Sequence, residues 1–256
     1  MYAIILAAGR GSRMGGLTSE QPKCLTTIAG RTLLDWQLAA LREAGLNEIA
    51  VVRGYQAQQL KPSGCTFFEN TKWSNTNMVA TLACAREWLN RDDCLIAYSD
   101  ILYHPDIITK LARHPGDLVI SHDRDWLSLW RERFANPLED AETFRCDTRG
   151  RLCEIGGRAD TLEAIESQYM GLIKTTPAGW RQIQNLLANK SSEERNRLDM
   201  TAMFQRLIEQ GVEIDVAPIR GRWCEVDCKN DLDIYQRHIA QANGWRHDWR
   251  WEALPL

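Results

Sequence analysis

Residues 5–15, ILAAGRGSRMG, end an apolar run in a loop of glycines and arginines. Such a loop suits phosphate: Gly9 and Gly11 let backbone amides approach closely, while Arg10 and Arg13 add charge-assisted hydrogen bonds. Gly15 and Gly16 extend the loop, and Lys23 follows directly after Pro22. Two common phosphate loops do not fit. No Lys-Ser/Thr pair closes the loop as the Walker pattern requires, and Met14 stands where G-x-G-x-x-G needs its third glycine. The chemistry to expect is phosphate binding, with an ordinary glycine-rich turn as the alternative.

The elements that must position this loop follow from hydrophobic period. Residues 2–8 read as a buried parallel strand. Helical spacing over 32–45 stops at Gly45, and a strand follows at 48–54. A helix over 77–90, a strand over 93–101 that carries Asp100 at its end, a helix over 106–113 and a strand over 117–123 continue the alternation. That rhythm predicts an α/β fold, a doubly wound, mostly parallel Rossmann-like sheet, in a single domain over 1–256. The rhythm breaks at 124–168, a segment dense in charge and aromatics with a hairpin turn at Thr148-Arg149-Gly150, which reads as an insertion or lid. A strand returns at 169–176, and two helices flank a polar stretch at 190–199 that reads as mobile. Late strands over 213–221 and 223–228 precede a last helix with Asn230 as its cap. The Trp-rich tail 244–256 has neither period; an apolar strap and an oligomer contact, hence a homodimer, are both open.

Composition excludes several classes. The formal charge of −3, with both signs mixed, gives no electrostatic case for nucleic acid or an anionic membrane. No apolar stretch approaches the roughly 20 residues of a membrane span. The N-terminus lacks a basic region and runs straight into the loop, as a first strand and not a signal peptide. Eight cysteines form no C-x-x-C, and the closest pair, Cys224 and Cys228, brackets Glu-Val-Asp without a histidine. They read as reduced thiols of a cytoplasmic protein, not as a zinc site.

Four islands then carry a resemblance. L-A-A-G-R-G-S-R-M-G with Q-P-K-C-L, residues 69–82 (ENTKWSNTNMVATL), YSDI at 98–101 and WCEVDCKNDL at 223–232 are similar, in this order, to the nucleotidyltransferase family, in its phosphocholine cytidylyltransferase-like branch. The resemblance implies that Leu6, Ala7, Ala8, Gly9, Gly11, Ser12 and Arg13 hold a nucleotide, with Asn75, Asn77 and Ser99, and that Lys23 neutralises the phosphate under attack. Asn75 and Asn77 offer donors and acceptors suited to cytosine, though Asn77 equally suits a helix N-cap. Transfer between two phosphates needs charge neutralised and reactants aligned. Asp100 and Asp227 can supply oxygen ligands to Mg2+, and Glu225, two residues before Asp227, shares its face on a strand.

Residues 129–144 are more similar to the cytidylyltransferases of phosphoglutamine and of phosphonates than to those of phosphocholine. Arg131 and Arg133 present forks suited to an acceptor's phosphoryl or carboxylate group, Glu139, Asp140 and Glu142 suit an ammonium or a metal, and Trp126 and Trp130 suit a cation cage. Tyr169 completes this acceptor set; a solvated lid surface is the alternative for any one residue. The expectation is a cytidylyltransferase that couples CTP to a small phosphorylated or phosphonylated compound and releases pyrophosphate. A sugar-1-phosphate nucleotidyltransferase using another NTP is the alternative in the same family. A non-catalytic nucleotide-binding module is the alternative outside it, and such a module tends to lose Lys23 or a carboxylate, which this chain retains.

Overall fold

The first strand, β1 (Tyr2–Ala7), is apolar on both faces: Ala3, Ile5 and Ala7 enter one core, Ile4 and Leu6 the other. A strand with that composition belongs in the middle of a sheet covered on both sides. The computed structural model describes residues 1–241 and 244–251, and residue 17 by its backbone alone. A small hairpin of β2 (Thr27–Ile28) and β3 (Arg31–Thr32) leads into α1 (Leu33–Glu43), β4 (Ile49–Arg53) and β5 (Cys65–Glu69). Next come α2 (Met78–Ala83), α3 (Arg86–Arg91), β6 (Cys94–Tyr98), β7 (Ile101–Tyr103), α4 (Pro105–Ala112) and β8 (Leu118–Asp123). The 124–168 segment holds α5 (Trp126–Arg133) and a hairpin of β9 (Glu142–Cys146) and β10 (Leu152–Arg158). The chain continues through β11 (Gln168–Thr175), α6 (Pro177–Ala188), α7 (Ser192–Arg197), α8 (Met200–Glu209), β12 (Asp215–Ile219), β13 (Trp223–Glu225) and α9 (Lys229–Gln241).

Seven strands form the central sheet in the order β12-β8-β11-β6-β1-β4-β5. All neighbours pair in parallel except β11, which runs antiparallel to both β6 and β8. The expected doubly wound, mostly parallel architecture is therefore present, and the reversal of β11 brings its first residues to the edge where β1 and β6 end. The expected hairpin is present too, with Gly150 at φ 76°. It packs on α8 and β11, while α5 packs on α9, so the 124–168 segment is anchored to the main fold.

Four local expectations need correction. The helix foreseen over 77–90 is two helices, because Cys84 and Ala85 take tight bonds to Thr81 and Leu82 at the junction. The strand foreseen over 93–101 ends at Tyr98 and restarts at Ile101 after a turn. The polar stretch at 190–199 contains α7, whose start is a reciprocal capping box between Ser191 and Glu194. Asn230 lies inside the first turn of α9; Asp231 instead accepts from the amides of Asp227 and Cys228 just ahead of the helix. The described part of the tail is a strap: Trp249 is fully buried and meets Trp36 edge-on. Residues 252–256 of that tail lie outside the described residues. No helix among the described residues is long and apolar enough to cross a membrane.

His122 on β8 is buried and stacked on Phe144, and neither ring nitrogen has a hydrogen-bond partner among the described residues. Burial, aided by Arg124 and Lys110, pushes its pKa from 6.5 down to about 4. Between those values the unfolded chain binds the extra proton, so stability is complete above pH 6.5 and falls as the pH drops towards 4, by on the order of 3 kcal/mol. His122→Phe should flatten that dependence. Urea midpoints at pH 5 and pH 7.5 should lie closer together for the variant; an unchanged gap would contradict the assignment.

Candidate active site

Beyond the end of β1 the chain enters the glycine loop. Gly11 has φ 69°, and a Cβ there would stand 2.7 Å from Cβ and Cδ of Lys23, so only glycine lets the loop lie across that side chain. Met14, which spoils the dinucleotide pattern, is buried and pins the loop to the core. Thr18 Oγ1 donates to the Gly11 carbonyl at 3.0 Å. Leu6, Ala7 and Ala8 are buried, which leaves their backbone and not their side chains for a nucleotide. Gly9 and Ser12 are exposed, and Arg10 lies over the Tyr55 ring.

Lys23 is 6% exposed and donates from Nζ to Asp227 Oδ1 at 2.6 Å and Asp100 Oδ2 at 2.9 Å. Asp100 sits in the turn between β6 and β7. Gln37, reaching from α1, grips that turn by donating to the carbonyls of Tyr98 (2.8 Å) and Ile101 (2.5 Å). β7 pairs with β13, with Ile101 opposite Glu225, and the amide of Val226 donates to the Asp100 carbonyl at 2.8 Å. This ladder brings residues more than 120 positions apart into one centre. Oxygens of Asp100, Glu225 and Asp227 all lie within 4.8 Å of one another. Asp100 Oδ1 is buried with no hydrogen-bond partner among the described residues. A buried orphan oxygen beside two more carboxylates is a hard donor set that fits a divalent cation.

The electrostatics follow from this crowding. Burial opposes the charge on Lys23, but Asp100 and Asp227 outweigh it and hold the amine above the ordinary lysine range. Burial likewise opposes the charge on Asp227, yet Lys23, Arg13 and Arg133 keep its carboxyl below the usual range. Glu225 is pushed up to about 8 by burial and by Asp227, with Arg133 pulling the other way. Arg13 is two-thirds exposed and reaches Asp227 Oδ1 with Nη2 at 3.1 Å.

A cavity of about 370 Å³ opens against this centre. Arg13, Glu225 and Asp227 line it, together with Asp140, Glu142 and Asp199 and the rings of Tyr98, Trp130 and Tyr169. Trp130 Nε1 donates to Asp140 Oδ2 at 3.1 Å. Gln168 holds Glu142 by its backbone, accepting from its amide and donating to its carbonyl. Burial raises the carboxyls of both Asp140 and Glu142.

The expected acceptor set is thus divided. Trp130, Asp140, Glu142 and Tyr169 line the cavity. Trp126 does not: it is buried in the core, edge-on to Trp130, and forms no cage. Arg131 is exposed and does not line the cavity, and Glu139 lines a neighbouring one with Gly156 and Gly157. Arg133 is enclosed and already paired with Glu225, Asp227 and Asp231, so it has no fork to offer an acceptor. Asn77 caps α2, accepting from Met78 N at 2.8 Å, while Asn75 is exposed in the turn before it. Ser99 is half-buried in the turn before Asp100. Tyr98, Gln168 and Asp199 were not foreseen. Asp199 ends the polar stretch at 190–199 and caps α8, accepting from Ala202 N at 2.7 Å.

Comparison with known proteins shows which family the chain belongs to. The family model for MobA-like NTP transferase domains matches residues 3–154, which include the loop, Lys23 and Asp100. The chain is 39% identical over 253 residues to the CTP:phosphoglutamine cytidylyltransferase of Campylobacter jejuni, covering 91% of this chain and 98% of that one. It is 30% identical over 136 residues to the choline-phosphate cytidylyltransferase of Haemophilus influenzae, covering 50% of this chain and 58% of that one. Among solved structures, the inositol-1-phosphate CTP transferase from T. maritima shares the fold, with a TM-score of 0.72 at 18% identity over 95% of this chain and 96% of that one. The chain belongs to the nucleotidyltransferase family, an enzyme family, and carries its MobA-like NTP transferase domain.

Proposed function

We propose that the protein is a cytidylyltransferase that moves CMP from CTP to a phosphoryl or phosphonyl oxygen of a small acceptor bearing an ammonium group. The observation that carries this reading is one cavity that meets Arg13 beside the Lys23 centre and also presents Asp140, Glu142 and Asp199 with four aromatic residues, Tyr98, Trp130, Tyr169 and Trp223. Cations suit the phosphates, and carboxylates with π faces suit an ammonium. The identity shared with a CTP:phosphoglutamine cytidylyltransferase supports both the nucleotide and the acceptor class.

In the step itself, an acceptor oxygen forms a bond to the α-phosphorus of CTP in line with the bond that breaks, and pyrophosphate leaves with that electron pair. The loop amides, Arg13 and Lys23 neutralise charge on the phosphates and hold the triphosphate in place. Asp100, Asp227 and Glu225 would hold Mg2+, which when bound supplies divalent charge to the phosphate oxygens. Glu142, Asp140 and Asp199 orient the acceptor by its ammonium end. Asn75 reads the cytosine edge from the turn that precedes α2.

Lys23→Ala should lower kcat by about 10²–10³-fold while circular dichroism shows the helices retained. Near wild-type turnover would remove Lys23 from the transfer. Pyrophosphate release across four NTPs and a panel of acceptors should favour CTP with amino-bearing phosphates or phosphonates; preference for a sugar 1-phosphate with another NTP would overturn the reading. Glu142→Gln removes one charge-assisted contact of roughly 1.5–3 kcal/mol, which predicts about a tenfold to hundredfold loss of acceptor kcat/KM with little change in the KM for CTP. Equal losses for both substrates would mark Glu142 as structural.

A further inference from the structure

Arg133 ends α5, and its side chain is fully enclosed. Nη1 donates to Glu225 Oε2 at 3.0 Å, Nη2 lies 3.4 Å from Asp227 Oδ2, and Nε donates to Asp231 Oδ1 at 3.1 Å. The rings of Trp130 and Phe134 flank the guanidinium at 5.2 and 5.0 Å. Asp231 in turn accepts from the amides of Asp227 and Cys228 with Oδ2, at 2.7 and 2.9 Å, and so braces the backbone that carries Asp227. One oxygen each of Glu225 and Asp227 is taken up by Arg133, while Asp227 Oδ1 turns to Lys23 and Arg13.

From this geometry we infer that Arg133 is a positioning residue for the cation site: it sets which oxygens of Glu225 and Asp227 face a bound divalent metal, and it ties that site to the helix that also carries Trp130 of the acceptor cavity. The inference rests on the reading of Asp100, Glu225 and Asp227 as metal ligands. A guanidinium can span three carboxylates because its donors diverge in one plane, whereas the compact lysine ammonium cannot. Arg133→Lys therefore keeps the charge and loses the geometry. Partners that orient metal ligands without touching the metal typically contribute 10–100-fold in metal affinity.

The test is direct titration of the full-length protein with Mn2+, free ion followed by electron paramagnetic resonance, without nucleotide and then with CTP. Arg133→Lys should weaken Mn2+ binding about tenfold or more. Its turnover should fall at low Mn2+ and recover as Mn2+ is raised, which a merely structural defect would not do. Arg181→Ala, an exposed arginine on α6, should bind Mn2+ as the wild type does. Asp231→Asn, which leaves every proposed ligand in place, should shift Mn2+ affinity in the same direction and gives the readout if Arg133→Lys does not fold. Equal Mn2+ affinity in the wild type and both variants would overturn the role of Arg133. A wild type that binds no Mn2+ would overturn the metal reading and this inference with it.

Discussion

Three carboxylates whose oxygens lie within 4.8 Å of one another repel strongly where water is partly excluded, and the fold must hold them there. Lys23 supplies one counter-charge from the turn after the glycine loop, bridging Asp100 and Asp227. Arg133 supplies a second from the end of α5, bridging Glu225, Asp227 and Asp231, and Arg13 adds a third from the loop, on Asp227. Buried ion pairs of this kind contribute little net stability, because desolvation offsets most of the attraction, but removing one partner leaves an uncompensated charge. What they set is geometry: a cluster that fits one more cation, with an Asp100 oxygen that has no hydrogen-bond partner among the described residues.

The sheet exists around that constraint. β1 and β6 are neighbours, so the loop after one and the turn after the other open side by side. The short β7–β13 ladder then imports residues 225–227 from near the far end of the chain. The reversed β11 delivers Tyr169 to the same edge, and Gln168 beside it fixes Glu142. On the proposed reading the nucleotide side and the acceptor side share walls, and residues from the 124–168 segment serve both.

Much of this was legible because it is local. Strands apolar on both faces, the Gly45 stop of α1 and the hairpin turn at Gly150 are signals that neighbouring residues carry by themselves. The loop stood out by its glycines and arginines, while Lys23, Asp100 and Asp227 were singled out through the resemblance to nucleotidyltransferases, and the fold brings these three side chains together. What was not legible depends on contacts between distant segments. Nothing in the spacing of Gln37 shows that a polar residue on the buried face of α1 grips the Asp100 turn. Arg133 reads as a free fork until Glu225 and Asp231 are brought against it. Trp126 reads as a cage wall until the core closes over it. The break between α2 and α3 has no proline or glycine to announce it.

Among the described residues, neither a cysteine nor a histidine lines the cavity, and its cations and carboxylates are arranged to neutralise and align. The proposed transfer is a single displacement between the two substrates, with the protein's charges holding them in line. The most direct test is the stereochemistry at the α-phosphorus, followed with one diastereomer of a CTP analogue carrying sulfur at that phosphorus. A single in-line displacement predicts inversion of configuration in the product. Retention would require two displacements and an enzyme-bound nucleotidyl group, and would contradict the account.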